Sequence, residues 1–246
     1  MKRFLALLLA LAPAACAVPG PTAAPIRWHA VLVAADGSLP VWDNAVTRMA
    51  GGLNGTASVQ RFSAAANPPP GTRPALLQNV AGAIADLRPA PGEGCLIFVT
   101  AHGAPQRGLA FVASRNFLGP GLLNAALDRG CGDAPTVVIA SGCYTGNFIE
   151  PPLARTNRII LTAARPDRPS FGCGAGFTYT VFDECVLNSL DSTAPAGWTA
   201  VSDATIACVE REEARLGAQP SGPQRSLGEG ARNIPVPWGG LRSVRG

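Results

Sequence analysis

The chain has 246 residues, 47% of them apolar and 15% charged, which is enough to bury a substantial core and is not a disordered composition. Its net charge of +4 is spread along the sequence with no basic run, which excludes a dedicated nucleic-acid-binding stripe. The 28 Gly and 23 Pro imply many loops and short elements.

Lys2 and Arg3 precede a short apolar run and then Ala12, Ala14 and Ala15. This reads as a secretory signal over residues 1–17, and the apolar run is too short to span a bilayer. Cys16 after Ala14-Ala15 resembles a bacterial lipoprotein processing site, which would end the leader at residue 15 and lipidate Cys16, although Pro13 departs from that motif. Ordinary cleavage after Ala14 or Ala17 is the competing reading. The expected location is the periplasm, or the bacterial envelope through a lipid anchor.

Residues 19–25 read as a tether, and strands then alternate with helices. Residues 28–34 form an apolar strand, and Asp43 is placed to cap a helix carrying Ala45, Val46, Met49 and Leu53. A strand over 56–62 and a helix over 76–87 follow. The strand at 95–100 runs straight into His102-Gly103, and the strand at 136–140 runs straight into Ser141-Gly142-Cys143. A hairpin near 109–112 and a helix at 121–127 lie between them. A strand at 158–162 and helices at 178–190 and 200–216 complete a domain over 26–216. Residues 217–246 read as a Gly/Pro/Arg-rich tail that packs locally or not at all.

Continuous apolar strands alternating with helices predict an α/β fold, a mostly parallel sheet with helices on both faces. Ligands of such sheets bind beyond the carboxyl ends of the strands. His102 and Cys143 are both delivered there, whereas the other histidine, His29, begins its strand at the opposite edge. A lone cysteine at a strand end is more often a buried filler than a nucleophile. A cysteine and a histidine at one sheet edge, both in Gly-containing turns, can form a working pair. Cys143 would attack a carbonyl, and His102 would hand a proton to the leaving amine. Gly142 and Gly146 are expected to allow a sharp turn, with the Cys143 and Gly103 amides as oxyanion donors.

The seven cysteines contain no CxxC pair, so zinc or thioredoxin-like chemistry has no support, and no metal or organic cofactor is expected. Export permits disulfides. Cys185 with Cys208 is the first pairing expected, because both lie on helical segments. The remaining connectivity cannot be derived.

The blocks Thr100-Ala101-His102-Gly103 and Ala140-Ser141-Gly142-Cys143-Tyr144-Thr145-Gly146 resemble the legumain (asparaginyl endopeptidase) family, part of the caspase-like superfamily of cysteine peptidases. The resemblance continues through residues 162–171 and covers roughly residues 28–190. With its leader and compact size, the chain looks like the bacterial branch. The resemblance implies a caspase-like sheet and a protein or peptide substrate. It makes Cys143 the nucleophile, His102 the general acid/base, and the amides of Gly103 and Cys143 the oxyanion hole. Ser170 and Asp167 would line the pocket for the residue before the scissile bond. Legumains place an Arg soon after the first strand to read asparagine, and here none precedes Arg48. Asp36 or Asp43 could stand in that pocket and favour a basic or differently polar residue. The alternatives are transamidase-like acyl transfer on the same fold, which the resemblance leaves open, and a non-catalytic envelope binding protein.

Overall fold

The computed structural model describes residues 26–239. The expected leader, its cleavage points and Cys16 lie outside the described residues. The first half of the fold contains β1 (Arg27–Ala34), α1 (Val41–Gly52), β2 (Ala57–Ser63), β3 (Thr72–Pro74), α2 (Leu77–Ala85) and β4 (Glu93–Thr100). Three short strands follow, β5 (Gly103–Ala104), β6 (Gly108–Phe111) and β7 (Asn116–Leu118), then α3 (Pro120–Gly130). The remainder is β8 (Thr136–Ser141), β9 (Arg158–Thr162), α4 (Val181–Thr193), α5 (Gly197–Leu216) and β10 (Gln224–Leu227).

Seven strands form the main sheet in the order β10-β9-β8-β4-β1-β2-β3. Every neighbouring pair is parallel except β9 with β10. Successive side chains of a strand point to opposite faces, so each central strand feeds two cores. Leu96 and Phe98 of β4, with Val137 and Ile139 of β8, pack under α1, α4 and α5. Cys95, Ile97 and Val99, with Val138 and Ala140, pack under α2 and α3. Burial on both faces explains why these strands read as continuous apolar runs. The fold is the mostly parallel sheet with helices on both faces that was expected.

Local signals set the helix ends. Thr180 caps α4, its Oγ1 accepting the Asp183 N–H at 3.1 Å. Pro120 starts α3, where its missing N–H costs nothing. Gly217 closes α5 in the left-handed conformation, φ 64°. Cys185 and Cys208 form the expected disulfide, joining α4 to α5. A second, Cys95–Cys131, ties the start of β4 to the end of α3. Cys143 and Cys173 are the free cysteines among the described residues.

Three expectations change. Asp43 does not cap α1, because Pro40 already has helical dihedrals (φ −72°, ψ −13°) and the helix starts two residues before Asp43. Asp43 instead lies in the first turn, buried, with one carboxylate oxygen accepting from Ser63 Oγ at 2.9 Å. Burial pushes its pKa up, against the pull of that hydrogen bond. The expected hairpin is a three-stranded sheet, β5-β6-β7. The tail is not separate from the domain. Its β10 closes one side of the main sheet, and Trp238 packs against the core while its indole N–H donates to Asp191 at 2.8 Å. Gly52 makes room for that indole, since an added Cβ would lie 2.0 Å from it.

Candidate active site

β4 and β8 are adjacent and parallel, with Thr100 paired to Ser141 at their carboxyl ends. One more ladder bond, Ala101 N–H to Ser141 O at 3.1 Å, carries the two chains together past the strands. The next residue on one side is His102, and two further on the other is Cys143. A Cβ built on Gly103 would lie 1.9 Å from the Cys143 carbonyl oxygen and 3.1 Å from its nitrogen. The backbones after the two strands therefore touch, and only glycine fits between them.

The Gly103 amide has a defined direction. Ala110 N–H donates to His102 O at 2.7 Å, which makes Gly103 and Leu109 the non-hydrogen-bonded kind of antiparallel pair. The Gly103 N–H thus points away from β6, on the side of the Cys143 turn. His102 itself is exposed. Its imidazole makes no hydrogen bond among the described residues and stands edge-on to the buried Trp42, ring centroids 5.1 Å apart. Trp42 lies in the first turn of α1, so that helix start packs beside the imidazole.

The turn at Cys143 differs in mechanism from the sequence expectation. Neither Gly142 nor Gly146 adopts a positive φ; the left-handed residue is Tyr144, at φ 60°. Its strained backbone is held by an N–H donated to Arg168 O at 2.8 Å. The glycines serve close approach instead. A Cβ on Gly142 would lie 2.6 Å from Ala101 O, and one on Gly146 would lie 2.3 Å from Pro166.

Ser170, expected to line the substrate pocket, lies against the Cys143 sulfur. Its N–H donates to Sγ at 3.3 Å, while its hydroxyl and its carbonyl oxygen are each 3.7 Å from Sγ. Asp36 follows β1, is 3% exposed, and accepts the Ser38 N–H at 2.8 Å. Asp167 lies in the loop whose Arg168 carbonyl accepts the Tyr144 N–H beside Cys143. Its exposed carboxylate is committed to Arg165 through two hydrogen bonds of 2.9 and 3.0 Å, and that partner holds its pKa down.

Three contributors had no sequence signal of their own: Trp42, Cys173 and Asp183. Cys173 is half-buried, three residues beyond Ser170. Burial first, and then the charge of Cys143, pushes its thiol pKa up, with a smaller push from Asp36. Asp183 is fully buried beneath the strand ends. Among the described residues no group of three His, Cys, Asp or Glu side chains is arranged to hold a metal ion.

Residues 78–194, the stretch containing His102, Cys143 and Ser170, match the model of the peptidase C13 family. Among solved structures, pro-sf-caspase-1 shares the fold with a TM-score of 0.58 at 12% identity, over 82% of this chain and 92% of that one. A crystal structure of drICE aligns with a TM-score of 0.49 at 10% identity, over 82% of this chain and 87% of that one. No curated protein sequence matches the chain. Just under half of the chain thus resembles the peptidase C13 family, and the likeness to pro-sf-caspase-1 shows a shared fold.

Proposed function

We propose that the protein is an exported bacterial endopeptidase in which Cys143 is the nucleophile and His102 the general acid/base. The observation that carries this reading is the backbone contact between Gly103 and Cys143, which turns two strand ends into one site. The Cys143 thiolate attacks the scissile carbonyl, and the developing oxyanion is received by the N–H groups of Gly103 and Cys143. His102 gives its proton to the leaving amine and then takes one from the water that resolves the acyl-enzyme. Neither step calls on a metal or organic cofactor.

Ser170 and Asp36 line the pocket for the side chain before the scissile bond. A buried carboxylate there, with no Arg from the first strand, favours a basic residue over asparagine. Residues 1–17 direct the chain across the inner membrane, to the periplasm or to a lipid anchor at Cys16.

The test is Cys143→Ala in the mature protein. Hydrolysis of peptides falls on the order of 10⁴-fold or more, labelling of peptide-mapped Cys143 by an iodoacetamide probe is lost, and the melting temperature is unchanged. Hydrolysis at the wild-type rate in this variant overturns the assignment. Cys173, the other free thiol among the described residues, supplies the background label against which the loss is read.

A further inference from the structure

Thr100 and Ser141 are ladder partners, both fully buried, and each stands two residues before a member of the proposed pair. Side-chain alternation sends both hydroxyls to the face where Leu96, Phe98, Val137 and Ile139 point, the face covered by α4. Asp183 meets them there from the first turn of α4. Thr100 Oγ1 donates to Asp183 Oδ2 at 2.6 Å. The other oxygen, Oδ1, is buried with no hydrogen-bond partner among the described residues, and the Asp183 N–H is held by Thr180 Oγ1 at 3.1 Å. The same helix start holds the pocket loop, because Val181 N–H donates to Phe171 O at 3.0 Å, next to Ser170.

A carboxyl that is 0% exposed and has no cationic partner is costly to keep. An apolar side chain of similar volume would fill the space at lower cost. What an apolar side chain would not do is tie the end of β4 to the start of α4 through an oriented hydrogen bond.

We propose that Asp183 is a positioning residue, whose buried carboxyl ties Thr100, and through the ladder its partner Ser141, to the start of α4 and so fixes the separation of His102, Cys143 and Ser170. This rests on the Cys143/His102 reading above. Asp183 touches neither substrate nor reacting atoms. It acts through strand ends whose displacement by about 1 Å can cost on the order of 10²-fold in rate.

The experiment compares the mature wild type with Asp183→Ala, Asp183→Asn, Thr100→Val and Cys143→Ala. It measures kcat and KM on a peptide substrate, and the pH profile of iodoacetamide alkylation at mapped Cys143. Asp183→Ala lowers kcat by about tenfold or more, leaves KM within about twofold, and displaces the alkylation profile. Asp183→Asn keeps an acceptor for Thr100 and restores kcat to within about threefold of wild type. An Asp183→Ala variant that melts lower but keeps kcat and the alkylation profile overturns the proposal, since the carboxyl would then serve only the fold. An Asp183→Asn variant as impaired as Asp183→Ala overturns it too, because the role requires the acceptor. Should Asp183→Ala not fold, Thr100→Val removes the same bond from the other side. Reduced kcat with a displaced profile then supports the proposal, and wild-type values of both overturn it. Wild-type activity in Cys143→Ala would instead remove the reading beneath. An inactive Cys143→Ala beside an unaffected Asp183→Ala would remove the positioning role alone.

Discussion

The two histidines of the chain stand at opposite edges of one sheet, on or after neighbouring strands, and their surroundings differ in kind. His29, early in β1, is hydrogen-bonded at both ring nitrogens: Nε2 to Glu93 Oε2 at 2.7 Å and Nδ1 to Ser58 Oγ at 3.3 Å. By contacts alone this looks like a serine–histidine–carboxylate relay. Yet Ser58 sits in the body of β2, in register with His29, with no turn to present a nucleophile. His102 has none of these partners and only the edge of Trp42 beside it. It does have a glycine after it whose backbone touches a cysteine. The ring with both nitrogens satisfied is the one given a structural role here, and the unsatisfied ring in a Gly-containing turn is the one proposed to react. The carboxyls repeat the contrast. Glu93 is held below its ordinary pKa by the Ala90 N–H first and His29 second, whereas burial drives Asp183 up to about 6.

The widest gap between the edges is expected in the histidines themselves. His102→Ala lowers kcat by about 10²- to 10⁴-fold, while His29→Ala leaves it within about twofold. Assaying the two variants side by side on one peptide tests the contrast, and equal losses would break it. Gly103→Ala is expected to cost about 10²-fold, because its methyl would lie against the Cys143 carbonyl and move both catalytic backbones. Gly121→Ala, whose methyl would meet nothing within 4 Å, is the neutral control.

The smallest effect is in stability, and its sign distinguishes the edges. Asp183 titrates near 3.8 when unfolded and near 6 when folded, so folding is unpenalised below about pH 4 and loses stability as pH rises through 6. The loss is on the order of 3 kcal/mol. Glu93 has the opposite sign, contributing above its unfolded pKa and losing the contribution as pH falls. Urea melts between pH 4 and 8 should show the decline in the wild type and its disappearance in Asp183→Asn. A decline that persists in that variant assigns it to another group.

The strands carrying the site were legible because burial on both faces writes itself as unbroken apolar sequence, as at 95–100 and 136–140. The Cys185–Cys208 pairing was legible because both cysteines lie on helices. Cys95–Cys131 was not, since nothing local says that the end of α3 returns to the foot of β4. Tyr144 hid the turn, because a left-handed tyrosine has no sequence signature and glycines stood ready to take the credit. Asp183 read as an ordinary acid at a helix start; its meeting with Thr100 spans 83 residues. β10 escaped for a related reason. Gln224-Arg225-Ser226-Leu227 has no apolar alternation, and its strand character comes from a partner at 159–162.

That last strand has a consequence for how the molecule is completed. Between β9 and β10 the chain must lay down α4 and α5, so the flank of β9 stays open until nearly the whole domain exists. An open strand flank invites pairing with another chain. β10 closes it with four residues in the opposite direction, and the new outer edge carries Arg225, paired with Asp203. A short, charged final strand thus ends the growth of the sheet. A chain cut after Leu216 would keep every proposed catalytic group and present β9 as a template for its own aggregation.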